Sequence, residues 1–429
     1  MIERYARSPM KDLWTEAAKY GRWLQVELAV VDALDELDLI PPESAQRIRE
    51  RAHVDIDATQ EIEAEIGHDL LSFVRSLENQ VGSDGRYVHR GLTSYDVVDT
   101  GLSMAVRDGL DVLQDELDRV LTVLQQRALE HESTVMIGRT HGVHAEPITF
   151  GLKLLNCYDE LARDRERLER ARSIAAVGKL SGSVGTYANV DPEVERRVCQ
   201  QLGLQPADVS SQLLARDRHA EVLSALAITA GTLERIATEI RNLSRTEIDA
   251  VREGRPHGSS SMPHKQNPSN CETVSGLARV VRSNALAGME NMAVWHEQDL
   301  SRSSVERVAI PDSFQALHTM LSKTTSVLNH LQVNPARMRA NLAMTRGAVF
   351  SQGVLLALVD AGMGRTEAHE RLTAAARESE RTDRSLLEVL RQDEDVVEQI
   401  GPDRLDELFD VAYHTKHVGT IFDRFFPDR

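Results

Sequence analysis

The sequence predicts an all-α protein, and three observations indicate this fold class. Aromatic residues make up 4% of the 429 residues and apolar residues 41%, so the core must consist mainly of Leu, Val, Ala and Ile, which suits helices packed on helices. No proline interrupts residues 207–255 or 269–310, as long helices require. Apolar side chains also recur three or four positions apart, the spacing of one helix face. One such series is Leu110, Leu113, Leu117, Val120 and Leu124.

The helical pattern divides the chain into three predicted domains. Residues 96–340 contain helices longer than a compact domain needs, since a helix of about 30 residues spans about 45 Å. Helices of that length pack lengthwise against partners in their own chain or in another subunit. We therefore expect a central long-helix bundle in an obligate oligomer. Residues 1–95 and residues 341–429 are predicted to be smaller helical domains.

Charge and cysteine content exclude several classes of protein. A formal net charge of −17 argues against nucleic acid or an anionic membrane as a partner, because both require a basic face. A small anionic substrate remains compatible, since a few local cations suffice to bind it. Cys157, Cys199 and Cys271 are widely separated and lack zinc spacing, which favours a reducing compartment. With no apolar stretch of membrane length, we expect a soluble cytoplasmic protein.

The segment Gly258–Pro268, within a predicted loop of residues 254–268, contains three consecutive serines, Ser259 to Ser261, and a lysine, Lys265. Its glycine, serines and prolines are incompatible with a helix, so it must be a loop. A loop with hydroxyls, one Lys and one Asn suits a lid that closes over an anion. Composition alone favours a solvated surface loop over such a lid.

Three further polar segments interrupt the helical pattern. Gly138–Pro147 holds two histidines, the residue type that carries protons near neutral pH; a structural cap is the alternative, and no ligand spacing supports a metal. Val88–Asp96 places a Thr-Ser pair at a helix start, where backbone donors can hold a carboxylate or phosphate or serve only as a cap. Gly67-His68-Asp69 adds a histidine beside an acid.

Taken together, these segments resemble a known family. The run Gly258–Asn267 is similar to the signature of the fumarase/aspartase/argininosuccinate lyase superfamily, and the other segments resemble its adenylosuccinate lyase branch. The similarity covers nearly the whole chain. Further matching segments are Arg4-Tyr5, Ser211-Gln212, Arg216–His219, Trp295–Glu297, Glu306-Arg307 and Tyr413-His414.

The resemblance implies three helical domains and a homotetramer with a core of about 20 helices, in which each active site is shared between subunits. It implies no cofactor and no metal. The implied reaction is a β-elimination that releases fumarate from adenylosuccinate to give AMP, and from SAICAR to give AICAR, in purine biosynthesis. Two alternatives stay open: a related lyase acting on a smaller, unphosphorylated N-succinyl compound, and an inactive helical scaffold.

The resemblance also implies residue roles. Ser259 matches the base, although spacing alone leaves Ser260 and Ser261 open. His141 matches the general acid, and Glu272 matches the carboxylate that orients it. Lys265 and Asn267 match groups that hold the succinyl carboxylate, with Thr93 and Ser94 as further donors. Arg4, Tyr5, Ser303 and Arg307 match phosphate contacts, and His68, Asp69, His89 and Gln212 match other substrate contacts.

The chain departs from the branch at two positions. Gln298 and Gly67 stand where many members carry an arginine. Hydrogen bonds to a charged group contribute about 1.5–3 kcal/mol, more than the neutral bonds that Gln forms. Arg302 lies close in sequence and is a candidate replacement for phosphate binding.

Overall fold

The computed structural model describes residues 1–254, 257–258, 262 and 264–428, with residues 257–258 described by their backbone alone. The all-α prediction is confirmed, because helices dominate the described residues and the strands there form only two-stranded pairs. The predicted base Ser259 and its neighbours Ser260 and Ser261 lie outside the described residues.

Helices fill most of the chain. The first five are α1 (Met10–Leu13), α2 (Glu16–Glu36), α3 (Pro42–Arg51), α4 (Ile56–Ile66) and α5 (Asp69–Val81). The next six are α6 (Ser94–Glu130), α7 (Phe150–Ala175), α8 (Pro192–Leu202), α9 (Asp217–Leu243), α10 (Ser269–Glu290) and α11 (Ser303–His330). Shorter helices follow: α12 (Pro335–Ala343), α13 (Ser351–Asp360), α14 (Arg365–Thr382), α15 (Leu386–Leu390), α16 (Glu394–Ile400), α17 (Pro402–Leu408), α18 (Val411–Thr415) and α19 (Val418–Asp423).

Short strands and 3-10 helices connect the α-helices. The antiparallel pairs are β1 (Val135–Thr140) with β2 (Val143–Thr149), β5 (Val251–Arg252) with β8 (Gln332–Val333), and β6 (His257–Gly258) with β7 (Gln266–Asn267). The strands β3 (Val177–Gly178) and β4 (Gln205–Pro206) pair in parallel. The 3-10 helices are Glu3–Tyr5, Gly82–Tyr87 and Ala348–Phe350.

The chain divides into two compact units. The first comprises residues 1–119, 161–235 and 273–324, and the second residues 120–160, 236–272 and 325–429. The boundaries fall inside α6, α7, α9, α10 and α11, so each unit contains parts of the long helices.

An aromatic cluster lies in the core of the first unit. The ring of Tyr20 stacks on that of Phe73 with centroids 5.6 Å apart, and Trp23 meets Tyr20 edge-on at 5.3 Å. All three side chains are buried. Thr15 starts the helix that carries two of them, since its side chain accepts a hydrogen bond from the Ala18 N–H and so satisfies one unpaired donor at the start of α2.

A hairpin of β1 and β2 in the second unit was not predicted from the sequence. Thr140 pairs with Val143, so the connecting turn consists of His141 and Gly142 alone. Both turn residues have positive φ, +54° and +78°, as a type I′ turn requires. The second unit also contains a core of short helices, with Val354, Leu358, Leu386, Leu390 and Leu405 fully buried.

Within the described ranges, no single helix is long and apolar enough to cross a membrane, although Pro335–Ala343 and Ala348–Asp360 pass that test together as a pair bent by 80°.

We expect Gly151→Ala to destabilise the second unit. A Cβ at this first turn of α7 would lie 2.4 Å from the Ala128 carbonyl oxygen and 2.6 Å from the Glu132 Cα, which are backbone atoms at the end of α6 and in the turn that follows it. Overpacking of this kind costs about 1–3 kcal/mol. The measurement is the free energy of unfolding in urea.

Gly21→Ala is the matched control. Gly21 lies inside α2, and an added Cβ would meet no atom within 4 Å. Replacing an interior helix glycine there should stabilise the fold by about 0.5–1 kcal/mol. Equal effects of the two substitutions would contradict the packing at Gly151.

Candidate active site

The first turns of α5 and α11 meet through an ion pair in the first unit. Arg307 Nη2 lies 2.7 Å from Asp69 Oδ2, and Arg307 Nε lies 3.5 Å from Ser303 Oγ. Burial raises the pKa of Asp69, but the charge and hydrogen bond of Arg307, with the Leu70 N–H and the charge of Lys19, together outweigh burial, so the pKa of Asp69 is lowered. Three residues predicted as substrate contacts are thus brought together.

Ser303 and Arg307 also line a cavity of about 250 Å³ in the first unit. Its walls combine aromatic rings with side chains of both charges, a lining suited to an aromatic molecule that carries charged groups. Other lining residues are Trp14, Glu16, Lys19, Arg22, Trp23, Tyr95 and Glu306.

Gln298 is held by Arg302 in this structure. Arg302 Nη2 donates to Gln298 Oε1 at 2.5 Å and Nη1 to Glu306 Oε2 at 3.3 Å, while the guanidinium lies 4.6 Å from the ring centre of Tyr95. Arg302 is only 1% exposed. The guanidinium of Arg302 is therefore already bonded to buried protein groups. Arg302 does not line the cavity beside Arg307.

The other departure from the branch, Gly67, has a local structural explanation. Gly67 ends α4 in the left-handed conformation, with φ +67°. Glycine adopts this conformation without steric cost, whereas a residue with a Cβ is strained there. His68 follows directly, and its ring nitrogen Nδ1 accepts a hydrogen bond from the Leu71 N–H at 3.3 Å. Its imidazole therefore caps α5.

Arg4 and Tyr5 are placed farther along α11. The Tyr5 carbonyl accepts a hydrogen bond from Thr319 Oγ1 at 2.7 Å, and Arg4 is exposed. Thr319 follows Arg307 by 12 positions, which is about 18 Å along a helix. The backbone of this predicted phosphate-binding pair is therefore not beside Arg307 within the first unit.

His89 is fixed by a carboxylate that sequence reasoning missed. Glu27 accepts from the His89 N–H at 2.9 Å and lies 2.7 Å from His89 Nδ1. His89 has φ +56°, and these two contacts hold it in that uncommon conformation. Burial lowers the pKa of His89, but the hydrogen bond and charge of Glu27, with the charges of Asp96 and Glu78, together outweigh burial, and the net pKa is raised.

Thr93 and Ser94 stand at the start of α6, as predicted. The Thr93 N–H donates to Asp96 Oδ2 at 2.8 Å, which is half of a capping box. Both residues are half-buried, as is Gln212, whose side-chain amide donates to the Ser183 carbonyl at 3.1 Å. Asp96 itself is fully buried and was not singled out from the sequence.

The second unit carries the predicted acid at the tip of its hairpin. His141 is exposed there, on a backbone whose positive φ costs of order 1–3 kcal/mol for a residue other than glycine. A two-residue hairpin turn allows little freedom, so the imidazole is presented on a defined backbone. The other histidine of the segment, His144, is half-buried beside Arg139, and its pKa is lowered by burial and by that charge.

The remaining predicted catalytic residues of the second unit lie near the start of α10. Lys265 and Glu272 are exposed and Asn267 is half-buried in β7. Within the described residues, the structure does not join His141 to Glu272 by a hydrogen bond or ion pair. Among those same residues, no group of three or more His, Cys, Asp or Glu side chains could hold a metal ion.

A buried acid, Glu253, fixes the start of α10. Its Oε1 accepts from the backbone and side-chain amides of Asn270, at 3.2 and 2.5 Å, and its Oε2 accepts from the Cys271 N–H at 3.2 Å. A carboxylate at a helix start is favoured by the exposed N–H groups there. Glu253 thereby connects the residue that precedes the predicted loop 254–268 to the first turn of α10.

Comparison with known proteins defines the class first. Residues 3–283 match the family model described as Lyase, and residues 347–425 match that described as Adenylosuccinate lyase C-terminus. A fumarate lyase from Mesorhizobium sp. BNC1 superposes with a TM-score of 0.92 at 29% identity over all of both chains. The 3-carboxy-cis,cis-muconate lactonizing enzyme of Pseudomonas putida superposes at 0.88, with 29% identity over 98% of this chain and 96% of its own.

Sequence similarity then identifies the family. The chain is 47% identical to the adenylosuccinate lyase of Thermotoga maritima and 43% identical to that of Bacillus subtilis, with 99% of each chain covered. It belongs to the adenylosuccinate lyase family. The predictions of that family and of a lyase are confirmed, whereas the individual site residues stay predictions.

We expect Glu27→Gln to lower the pKa of His89, because burial would then act without the opposing carboxylate. A raised folded-state pKa means that the pair stabilises the fold fully below the ordinary pKa of about 6.5 and loses this effect as the pH rises through the raised value. The free energy of unfolding of the native protein should therefore fall by about 1 kcal/mol more across that range than that of the variant.

NMR titration of the His89 ring and urea unfolding at several pH values measure both effects. Glu130→Gln, which alters the carboxylate 3.6 Å from His131, is the control and should leave the titration of His89 unchanged. A titration midpoint of His89 that does not move in Glu27→Gln would contradict this assignment.

Proposed function

We propose that this protein cleaves adenylosuccinate to AMP and fumarate, and SAICAR to AICAR and fumarate, in purine biosynthesis. The observation that carries the proposal is the 47% identity to a named adenylosuccinate lyase over the full length of both chains. The cavity beside Ser303 and Arg307 supports it, because an aromatic and cationic lining suits a nucleotide.

The proposed chemistry is an anti β-elimination. A base removes the proton from the carbon next to one carboxylate, and the C–H electron pair passes into that carboxylate as a dianion. The electrons then form the C=C bond of fumarate while the C–N bond breaks, and the departing nitrogen receives a proton. Because negative charge accumulates on a group that is already charged, donors aimed at that carboxylate should supply the largest catalytic contribution, of about 2.7–4 kcal/mol for each donor.

We assign the proton donor to His141, the base to Ser259, and the carboxylate contacts to Lys265 and Asn267. The exposed position of His141 at a rigid hairpin turn supports its role, since a proton donor must be presented in a fixed direction. We assign Glu272 to charge and orient His141 from another subunit. The exposure of both side chains in the single chain supports contacts outside it.

We assign the binding of the remaining parts of the substrate to residues of the first unit. The proposed polar contacts to the substrate are Thr93, Ser94 and Gln212. The proposed phosphate site is Arg307 with Ser303. With Gln298 held by the buried Arg302, phosphate binding within one chain would rest on Arg307. Arg4 and Tyr5, whose backbone contacts α11 about 18 Å farther along, would have to reach that phosphate from another subunit. Arg307 is already paired with Asp69, so an incoming phosphate must share or displace that carboxylate.

We further propose a cytoplasmic homotetramer built on the central bundle of residues 96–340, with residues 1–95 and 341–429 as smaller domains. Apolar side chains exposed on three of the long helices support a second copy as partner, because such faces mark interaction sites. They are Ile228, Val280, Leu286, Met289 and Val308. The three cysteines are buried and form no disulfide among the described residues, which suits a reducing compartment.

The first test is fumarate release from adenylosuccinate by the purified chain and by His141→Asn. Asn-Gly is the favoured sequence of a type I′ turn, so this variant should fold with equal or greater stability. It has no ionisable proton donor, and we expect at least a 100-fold loss of kcat. Absorbance assays and thermal unfolding measure the two properties separately.

The same assay distinguishes the alternatives. Fumarate released only from a smaller N-succinyl amine would favour a related lyase of different specificity, and no release from either substrate would favour an inactive scaffold. Wild-type kcat in a well-folded His141→Asn would refute the role of His141 while leaving the substrate assignment intact.

A second test addresses shared active sites. Variants His141→Asn and Lys265→Ala should each be inactive, but mixed after reversible dissociation they should regain about a quarter of wild-type activity, because random association leaves about a quarter of the sites with both native residues. Mixing His141→Asn with wild type controls for the exchange itself and should give about half. Activity that stays at zero in the first mixture would place both residues in one chain.

A further inference from the structure

Lys179 was not among the predicted site residues, but it contacts three polar segments of the first unit. It lies in the non-helical stretch between α7 and α8, and its side chain is fully buried. Its ammonium donates to Asp96 Oδ1 at 2.5 Å, to the Gln212 carbonyl at 2.9 Å and to the Gly182 carbonyl at 3.4 Å. An ammonium has three donors, and all three are used.

Asp96, the carboxylate paired with Lys179, also binds two backbone N–H groups. Its Oδ1 also accepts from the Gly182 N–H at 3.3 Å, and its Oδ2 accepts from the Thr93 N–H. One buried ion pair therefore connects the start of α6, the loop at Gly182 and the loop at Gln212. The Gln212 side chain donates to the Ser183 carbonyl, which is a second link between the loop at Gln212 and the loop at Gly182.

Stability alone does not explain such a pair. Removing two charges from water is costly, and well-packed apolar residues often replace a buried ion pair with no loss of stability. What apolar residues could not reproduce is the direction of the bonds: the ammonium fixes the carbonyl of Gln212, and the carboxylate fixes the N–H of Thr93. Gln212 and Thr93 are two of the residues proposed to contact the substrate.

We propose that Lys179, through Asp96, is a positioning residue that holds Thr93, Ser94 and Gln212 in the arrangement that receives the substrate. This inference rests on the proposed function for its kinetic consequence, but its structural part is independent of it. Loss of the pair should leave the fold intact and let the three segments move separately. Misplacement of binding groups by about 1 Å is enough to reduce rates about 100-fold.

The test compares Lys179→Met with the double variant Lys179→Met, Asp96→Asn. The single variant leaves an unpaired carboxylate inside the protein and should unfold at a lower temperature. The double variant leaves no charge at this site and should regain thermal stability. Its KM for adenylosuccinate should nevertheless remain at least tenfold above wild type, with kcat/KM about 100-fold lower.

Hydrogen exchange provides a readout that needs no substrate. The amides of Thr93 and Gly182, both bonded to Asp96, should exchange at least tenfold faster in the double variant than in wild type. Arg47→Met is the matched control. It breaks a bidentate pair with the buried Asp84, at 2.6 and 2.9 Å, in a part of the same unit without a proposed substrate contact, so it should lower stability and change neither KM nor those two amides.

The outcomes separate the two proposals. A stable double variant with wild-type KM and wild-type amide exchange overturns the positioning role. If the wild-type chain leaves adenylosuccinate uncleaved, the proposed function fails, and amide exchange alone then decides whether Lys179 holds the three segments. Faster exchange at Thr93 and Gly182 supports the role, and unchanged exchange overturns it.

Discussion

Unpaired backbone N–H groups at the starts of the helices are the constraint on which the polar parts of this structure depend. A long helix satisfies its own backbone everywhere except at its ends, so polar side chains gather at the ends. Asp96 binds the Thr93 N–H at α6, His68 caps α5, and Glu253 caps α10. Negative charge is favoured at each of these positions. A chain with a net charge of −17 can therefore bind an anion, because helix starts and a few cations act locally whereas net charge acts at long range and is screened.

Buried charges also connect three long helices of the first unit, α6, α9 and α11, near their starts. Arg216 is buried between Asp99, at 2.6 Å, and Glu306, at 2.8 Å. Burial would raise the pKa of Glu306, but His219 and Arg216 hold it at about 2, so this carboxylate stays charged. The network joins α6, α9 and α11 at one point, close to the turn of α11 that carries Ser303 and Arg307. Directional bonds of this kind allow fewer alternative arrangements than apolar contacts do, which suits a site assembled from distant segments.

Periodicity, composition and capping patterns in the sequence predicted much of this architecture. Contacts between residues far apart in the sequence could not be predicted from them. The all-α class followed from periodicity and composition, and the Thr-Ser helix start at Thr93 followed from capping chemistry. The hairpin at His141 was missed because its strands are short and lack strict alternation, although two residues between apolar runs are a hairpin signal. Glu27 was missed for another reason: it is separated from His89 by 62 positions and lies within the apolar face of α2. Lys179 was not singled out from the sequence, since only the fold shows that it is buried.

Two of the three described histidines with positive φ, His89 and His141, show how the chain offsets a strained backbone and positions an imidazole. His89 and His141 both adopt the left-handed conformation, and a glycine of similar φ follows closely, at Gly91 with +79° and Gly142 with +78°. The glycine takes its position without cost, whereas the histidine is strained. At His89 two bonds to Glu27 offset that strain and raise the pKa of the ring. At His141 the pairing of β1 and β2 offsets it and leaves the ring exposed. The same backbone conformation thus yields one histidine held by a buried acid and another whose ring is exposed to solvent.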